Sequence, residues 1–257
     1  MAALPTTLRE YDQLALARGL PEPAFLPDQL ERWPVSADPP ALVLARLGAY
    51  LLVVDLQAAR ECDPLGVAWF GRTDRFPALG VPAAAVSEPG QASLAPFCRP
   101  ILTLGPCYKE ADGSWVPLAG LARDWCDVAV RVQSTVAPVI AFQVEYHLGG
   151  GPTLWESFRL TENGLEYETR IEWVVGGFRL HLPLFVTDGE QVGVPTWRDQ
   201  NLTLAIGGRC LRAEALDASW RWELEPGGAF ANRWGTLQNA LLQGRSALRF
   251  AVRLTVE

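Results

Sequence analysis

Between Val139 and Val186 apolar and polar side chains alternate through one run after another. This constrains the fold more than any other feature of the 257-residue chain. Phe142, Val144, Tyr146 and Leu148 alternate with Gln143, Glu145 and His147. Leu154, Phe158 and Leu160 alternate with Trp155, Ser157 and Arg159. Leu165, Tyr167, Thr169, Ile171 and Trp173 enclose Glu166, Glu168, Arg170 and Glu172, and Phe178, Leu180, Leu182, Leu184 and Val186 make a fourth run. A period of two with one polar side is what a half-buried antiparallel sheet requires. Gly149-Gly150-Gly151-Pro152, Asn163-Gly164 and Gly176-Gly177 separate the runs, and Asn-Gly suits the positive φ of a two-residue hairpin. The pattern predicts a four-stranded meander in which Leu160 faces Tyr167, Arg159 faces Glu168, Glu172 faces Arg179 and Arg170 faces His181. Acidic residues then fall twice opposite arginines.

One residue breaks the pattern. Glu156 falls on the apolar side, between Val144 and Ile171 in that register. Burying an isolated charge is very costly, so the carboxylate must sit at a rim or bulge, face an inter-sheet arginine, or be protonated, with a functional acid as the remaining reading.

Elsewhere strand signals cover 42–56, broken at Leu47-Gly48, and 66–70, 100–104, 127–133, 201–206, 210–216, 219–224 and 247–256. Asp112-Gly113 and Ile206-Gly207-Gly208-Arg209 read as hairpin turns. The first 40 residues differ. Thr7-Leu8-Arg9-Glu10 reads as a capping box, with Leu8, Tyr11, Leu14 and Ala15 at helical spacing up to Gly19. Pro21, Pro23, Pro27, Pro34, Pro39 and Pro40 then form a strap with little regular structure. The expectation is an all-β chain: a large two-sheet antiparallel sandwich of the super-sandwich type over 41–257, preceded over 1–40 by a short helix and a proline-rich linker strap. Such a lead-in reads as a link from something upstream, so the chain is expected to be the C-terminal part of a larger architecture.

Composition narrows the function. With a net charge of −7 and no cluster of basic residues, the chain lacks the electrostatic footprint of a nucleic-acid binder. No run approaches the roughly 18 apolar residues of a membrane span. No basic region followed by an apolar stretch opens the chain, so a cytoplasmic location is expected. The five cysteines are uneven in spacing and the two histidines stand apart, so no metal and no cofactor is expected; the plain reading of the cysteines is reduced thiols, with a Cys98–Cys107 pair left open. Lys109 is the only lysine.

There is no G-x-S-x-G elbow, P-loop, H-E-x-x-H or dinucleotide fingerprint, so no catalytic residue is assigned. His147 and His181 fall on the polar face of the meander, where Arg170 would keep His181 neutral. Ten tryptophans are many for one domain. Trp173 and the pair Trp220 and Trp222 are core candidates by parity, whereas Trp155 points outward in a row with Glu145, Glu172 and Arg179. An outward aromatic flanked by carboxylates and arginines suits a sugar, whose C–H face stacks on the ring while planar charged groups bind its hydroxyls. The candidate ligand residues are therefore Trp155, Arg170, Glu172, Arg179 and His181. Two loops that mix arginine with aromatics and polar groups add Arg72, Asn232, Arg233 and Trp234.

The hairpin ladder followed by "FRLHLPLFVTDGE", the closing "FANRWG" and the arginine-rich last strand, together with the helix and strap, resemble the C-terminal sandwich region of heparinase II/III-like polysaccharide lyases and related bacterial proteins. The resemblance implies a sandwich packed against a helical domain, with a polysaccharide held between them. No motif here matches that family's catalytic tyrosine or histidine. The reading is a carbohydrate-associated sandwich, accessory or glycan-binding, whose partners are an oligo- or polysaccharide and an N-terminal helical domain. A ligand-free interaction domain, and a lyase or epimerase acting at the sheet face through His147 or His181 with a tyrosine such as Tyr108, are the alternatives.

Overall fold

The computed structural model describes residues 28–33, 42–57, 65–74, 80–82, 84–85, 101–121, 126–174, 176–187, 191–232 and 235–257. Among them, regular structure is β apart from one 3-10 turn at Leu118–Gly120. The alternation seen in the sequence is the burial pattern of the strands. β11 (Val139–Leu148), β12 (Thr153–Thr161) and β13 (Gly164–Ile171) bury Phe142, Val144, Tyr146, Leu154, Phe158, Leu160, Leu165, Tyr167 and Ile171 and turn their polar partners outward.

These three strands form the middle of a 13-stranded sheet. On one side it runs through β20 (Arg249–Val256), β17 (Arg209–Ala215) and β16 (Asn201–Ile206) to β15 (Val194–Arg198). On the other it runs through β10 (Cys126–Val136), β1 (Gln29–Trp33), β2 (Leu42–Leu47), β3 (Tyr50–Asp55) and β4 (Gly66–Arg72) to β5 (Gly80–Pro82). A five-stranded sheet holds β18 (Arg221–Asn232), β19 (Gly235–Gln243), β14 (Phe178–Thr187), β8 (Gly105–Lys109) and β9 (Trp115–Pro117), in that order. A small ribbon pairs β6 (Ala84–Ala85) with β7 (Ile101–Leu102).

The large sheet turns a corner. β1 joins β10 only at Gln29 and Val136, yet β2 touches both β11 and β12. Strands three places apart in a flat sheet would lie about 14 Å from one another, so the first strands have folded back over the middle ones. β5 meets β14, so the folded-back strands and the small sheet together make the second layer. The core is a single cluster in which Leu52, Val54, Phe70, Leu180 and Leu182 from that layer face Phe142, Leu154, Phe158 and Phe250 from the first. The predicted two-sheet antiparallel sandwich is the observed fold.

Three local expectations change. First, β14 leaves the meander. The sequence reading makes it the neighbour of β13, but it pairs with β19 and β8, while β20 takes its place beside β13. Both β14 and β20 alternate cleanly, and alternation does not say which edge a strand joins. Second, the β12–β13 loop is Glu162-Asn163, not Asn163-Gly164, so Arg159 faces Glu166 and Phe158 faces Tyr167. Gly164 is used within the strand instead: its φ is +130°, and a Cβ there would lie 2.1 Å from the Leu254 carbonyl oxygen of β20. Third, Gln29–Trp33 lies within the expected strap but pairs along its length with β2. The expected helix before Gly19 lies outside the described residues. The Ile206–Arg209 hairpin stands as read, with Gly207 and Gly208 at φ +58° and +75°.

Candidate functional site

The outward face of the large sheet collects the charged residues that the alternation keeps from the core. Most are committed to one another. Arg159 bonds Glu166 at 3.1 Å, Arg253 bridges Glu166 at 3.1 Å and Glu214 at 3.0 Å, and Arg249 meets Glu168 at 2.7 Å. Trp155 stands at one end of this ladder between Glu145 and Arg170, its partners on β11 and β13. The Arg170 guanidinium lies 4.2 Å from the centre of the indole ring, and Arg170 makes no ion pair among the described residues. His147 closes the patch, with Nε2 3.4 Å from Glu145 and Nδ1 3.4 Å from the Thr153 hydroxyl, while Glu172 accepts the Thr153 N–H. Trp155, Arg170 and Glu172 are thus brought together as expected. Glu145 pairs with Trp155 as the sequence row has it, His147 lies on the same outward face, and Thr153 is added by the observed register.

Arg179 and His181 are not part of this patch, because β14 carries them into the other sheet. Pairing with Leu241 puts His181 on the side of β14 opposite to the core-facing Leu180 and Leu182. It is buried there. Burial first, and the nearby Arg179 second, push its pKa down to about 3, so the ring is neutral, although Arg170 is not the cause. Arg179 bonds Glu225 at 3.2 Å, whose other oxygen accepts the Asn239 side-chain N–H at 2.9 Å. The Arg179 Nε, His181 Nε2 and Asn239 Oδ1 are buried without hydrogen-bond partners among the described residues.

Arg72 is also committed elsewhere. It forms a bidentate pair with Asp74 at 2.8 and 2.6 Å, lies over the Tyr50 ring and reaches the Val256 carbonyl. Asn232 pairs with Gly235 at the tip of the β18–β19 hairpin; Arg233 and Trp234 lie outside the described residues. Trp220 and Trp222 are buried as expected, but Trp173 is 48% exposed, because the chain leaves the sheet after Ile171 before parity can place it in the core. Tyr108 packs in the core beside Phe178, on the opposite side of the small sheet from His181, so the two are not within hydrogen-bond reach. Cys107 is a free thiol whose pKa burial pushes up to about 12. Among the described residues no three His, Cys, Asp or Glu side chains gather to hold a metal ion.

Glu156 is neither at a rim nor paired with an arginine. It is fully buried in regular pairing between Val144 and Thr169. The Tyr146 and Tyr167 hydroxyls donate to its two oxygens at 2.7 and 2.5 Å. Gly66 and Gly105 from the second layer lie beside it, since a Cβ at either would be in ordinary contact with the carboxyl at 3.4 and 3.8 Å. Burial raises its pKa to about 7 against the opposing pull of the two tyrosines.

No family model matches the sequence, and no curated protein matches it. Solved structures do. A mutant of the heparan sulfate lyase HepC from Pedobacter heparinus aligns over 96% of this chain with a TM-score of 0.59 at 12% identity. The unmutated enzyme aligns over 95% with a TM-score of 0.59 at 13% identity. A heparinase III gene product aligns over 97% with a TM-score of 0.62 at 11% identity. The fold is shared. This chain spans only 41%, 38% and 40% of the lengths of those three chains.

Proposed function

We propose that this chain is a carbohydrate-associated β-sandwich that holds a glycan on the outer face of its large sheet, as an accessory part of a polysaccharide-processing assembly. The likeness to heparinase III structures supports the carbohydrate context. Their greater length is consistent with a helical partner domain, which the sequence resemblance also implies. The observation that carries the binding role is the Trp155–Arg170 stack. Arg159, Arg249 and Arg253 on the same face are held by carboxylates, whereas Arg170 is exposed and presents its N–H groups beside an aromatic ring. A sugar ring packed against Trp155 would find donors in Arg170 and acceptors in Glu145 and Glu172.

Screening against a glycan array, followed by calorimetry on the hits, tests this. Trp155→Ala is expected to weaken binding about tenfold, the loss of roughly 1.4 kcal/mol, with Arg170→Met intermediate. Absence of binding to any glycan, or a silent Trp155→Ala, overturns it. That result would favour the interaction-domain reading, for which the exposed Val192, Val194 and Trp197 near the β15 edge are the observation.

A further inference from the structure

Both sheets blunt their outermost strands in the same way. The large sheet ends in β15 and β5, the small one in β18 and β9, and these strands contain Pro195, Pro82, Pro226 and Pro117 in turn. Proline has no N–H to offer a further strand, so it discourages pairing at an edge. β10 presents a fifth edge without this guard. It pairs with β11 along its length, but β1 joins it only at Val136, where the large sheet turns its corner. Among the described residues no strand pairs with the other edge of β10 over Asp127 to Thr135, and no proline lies within that strand.

The side chains along this edge are incompletely matched as well. On the core side Val128 is buried, whereas Val130 and Val132 are only partly covered. On the outward side Asp127, Ala129 and Arg131 are exposed, and neither Asp127 nor Arg131 makes an ion pair among the described residues. Arg159, Arg249 and Arg253 on the same face all do. The spacing of the two charges is symmetric about Ala129. Laid antiparallel against a copy of itself with a two-fold axis at Ala129, the strand sets Asp127 opposite the partner's Arg131, twice over. On the core side Val128 then meets the partner's Val130, and two small alanine side chains meet at the axis. Opposite charges and apolar pairs face one another together only in this register. Moving the axis to Val128 or Val130 would set one of the charges against alanine.

We infer that the open edge of β10 is an interface between two copies of this chain, joined into one continuous antiparallel sheet. Charge complementarity fixes the occupant as a second copy, and the inference does not depend on the carbohydrate reading.

The test is sedimentation equilibrium of the whole chain over roughly 1–300 µM, a range suited to an interface smaller than the standard size. A monomer–dimer equilibrium is expected. Asp127→Arg and Arg131→Asp each set like charges opposite one another and are expected to weaken the dimer about tenfold or more. The chain carrying both substitutions exchanges the two charges and is expected to restore it. Ala129→Cys brings two thiols to the axis and is expected to form an intermolecular disulfide under mild oxidation, beyond any formed by the native chain. A chain that stays monomeric throughout overturns the inference, and slow amide exchange over 127–133 in that monomer would assign the edge to another segment of the same chain. Association that survives the single charge reversals, or that the double exchange fails to restore, overturns it too. So does Ala129→Cys protein that cross-links no more than the native chain.

Discussion

At Glu156 the physical problem is a carboxyl group taken out of water with no counter-charge. Among the described residues no charged side chain is bonded to it. Tyr146 of β11 and Tyr167 of β13 supply hydroxyls, and Gly66 of β4 and Gly105 of β8 lie beside the carboxyl. Two neutral donors offset part of the desolvation, which is why the pKa rises to about 7 rather than further. The sign follows. In the unfolded chain the group ionises near its ordinary value of 4.5, so between there and about pH 7 the folded form holds a proton that the unfolded form has lost. Stability contributed by this residue is therefore complete below the ordinary value and lost as pH rises through the folded one, by on the order of 3 kcal/mol. Glu156→Gln keeps the shape and cannot ionise. Urea unfolding of both proteins at pH 5 and pH 8 should show the substituted protein gaining on the native one as pH rises. A difference that does not change between the two pH values would mean the carboxyl is solvated or ionised in the fold.

Single strands show where sequence reasoning reaches and where it stops. β11, β12 and β13 are legible because each has one wet and one dry face, and a period of two records that directly. Glu156 stood out for the same reason, as the one polar residue in a dry row. What alternation cannot record is adjacency. β14 and β20 carry equally clean patterns, and only the packed structure gives β20 the place beside β13 and sends Arg179 and His181 to the other sheet. Of the expected Trp155 row, Arg179 goes with them to the other sheet. β1 is obscured in the sequence because Pro27 and Pro34 bracket it and read as parts of one proline-rich strap. The Asn163-Gly164 signal was real but misassigned. Gly164 makes space for β20, since its missing Cβ admits the Leu254 carbonyl. Gly164→Ala should therefore push β13 from β20 and add strain at a positive φ, costing more than the roughly 1 kcal/mol expected of a glycine at an unconstrained turn. Urea unfolding measures the cost. Near-native stability would show that the two strands can part without loss.

Across the whole molecule, the corner in the large sheet creates contacts that no local pattern foreshadows. Folding β2, β3 and β4 back over the middle strands brings Tyr50 to the far end of the chain. Its hydroxyl donates to the Val256 carbonyl at 3.1 Å and accepts the Val256 N–H at 3.2 Å, across 206 residues of sequence. Arg72, held by Asp74, reaches the same carbonyl from the neighbouring strand. The last strand thus lies in the first layer and is fastened by the second, while Cys210 and Glu257 exchange backbone bonds beyond it. This clasp closes the sandwich at the end where β20 finishes, opposite the Trp155–Arg170 end, since Arg170 lies across from Arg249 at the start of β20. Removing the hydroxyl in Tyr50→Phe leaves two buried backbone groups with poorer partners, at a cost of about 1–3 kcal/mol. Because the clasp is far from the proposed glycan face, that loss should appear as faster amide exchange at Val256 and a lower unfolding midpoint, with glycan binding by the folded protein unchanged. Slow exchange at Val256 in the variant would show that pairing with β17 alone fixes the strand. A parallel loss of binding would show instead that the two ends of the sandwich are coupled through β20.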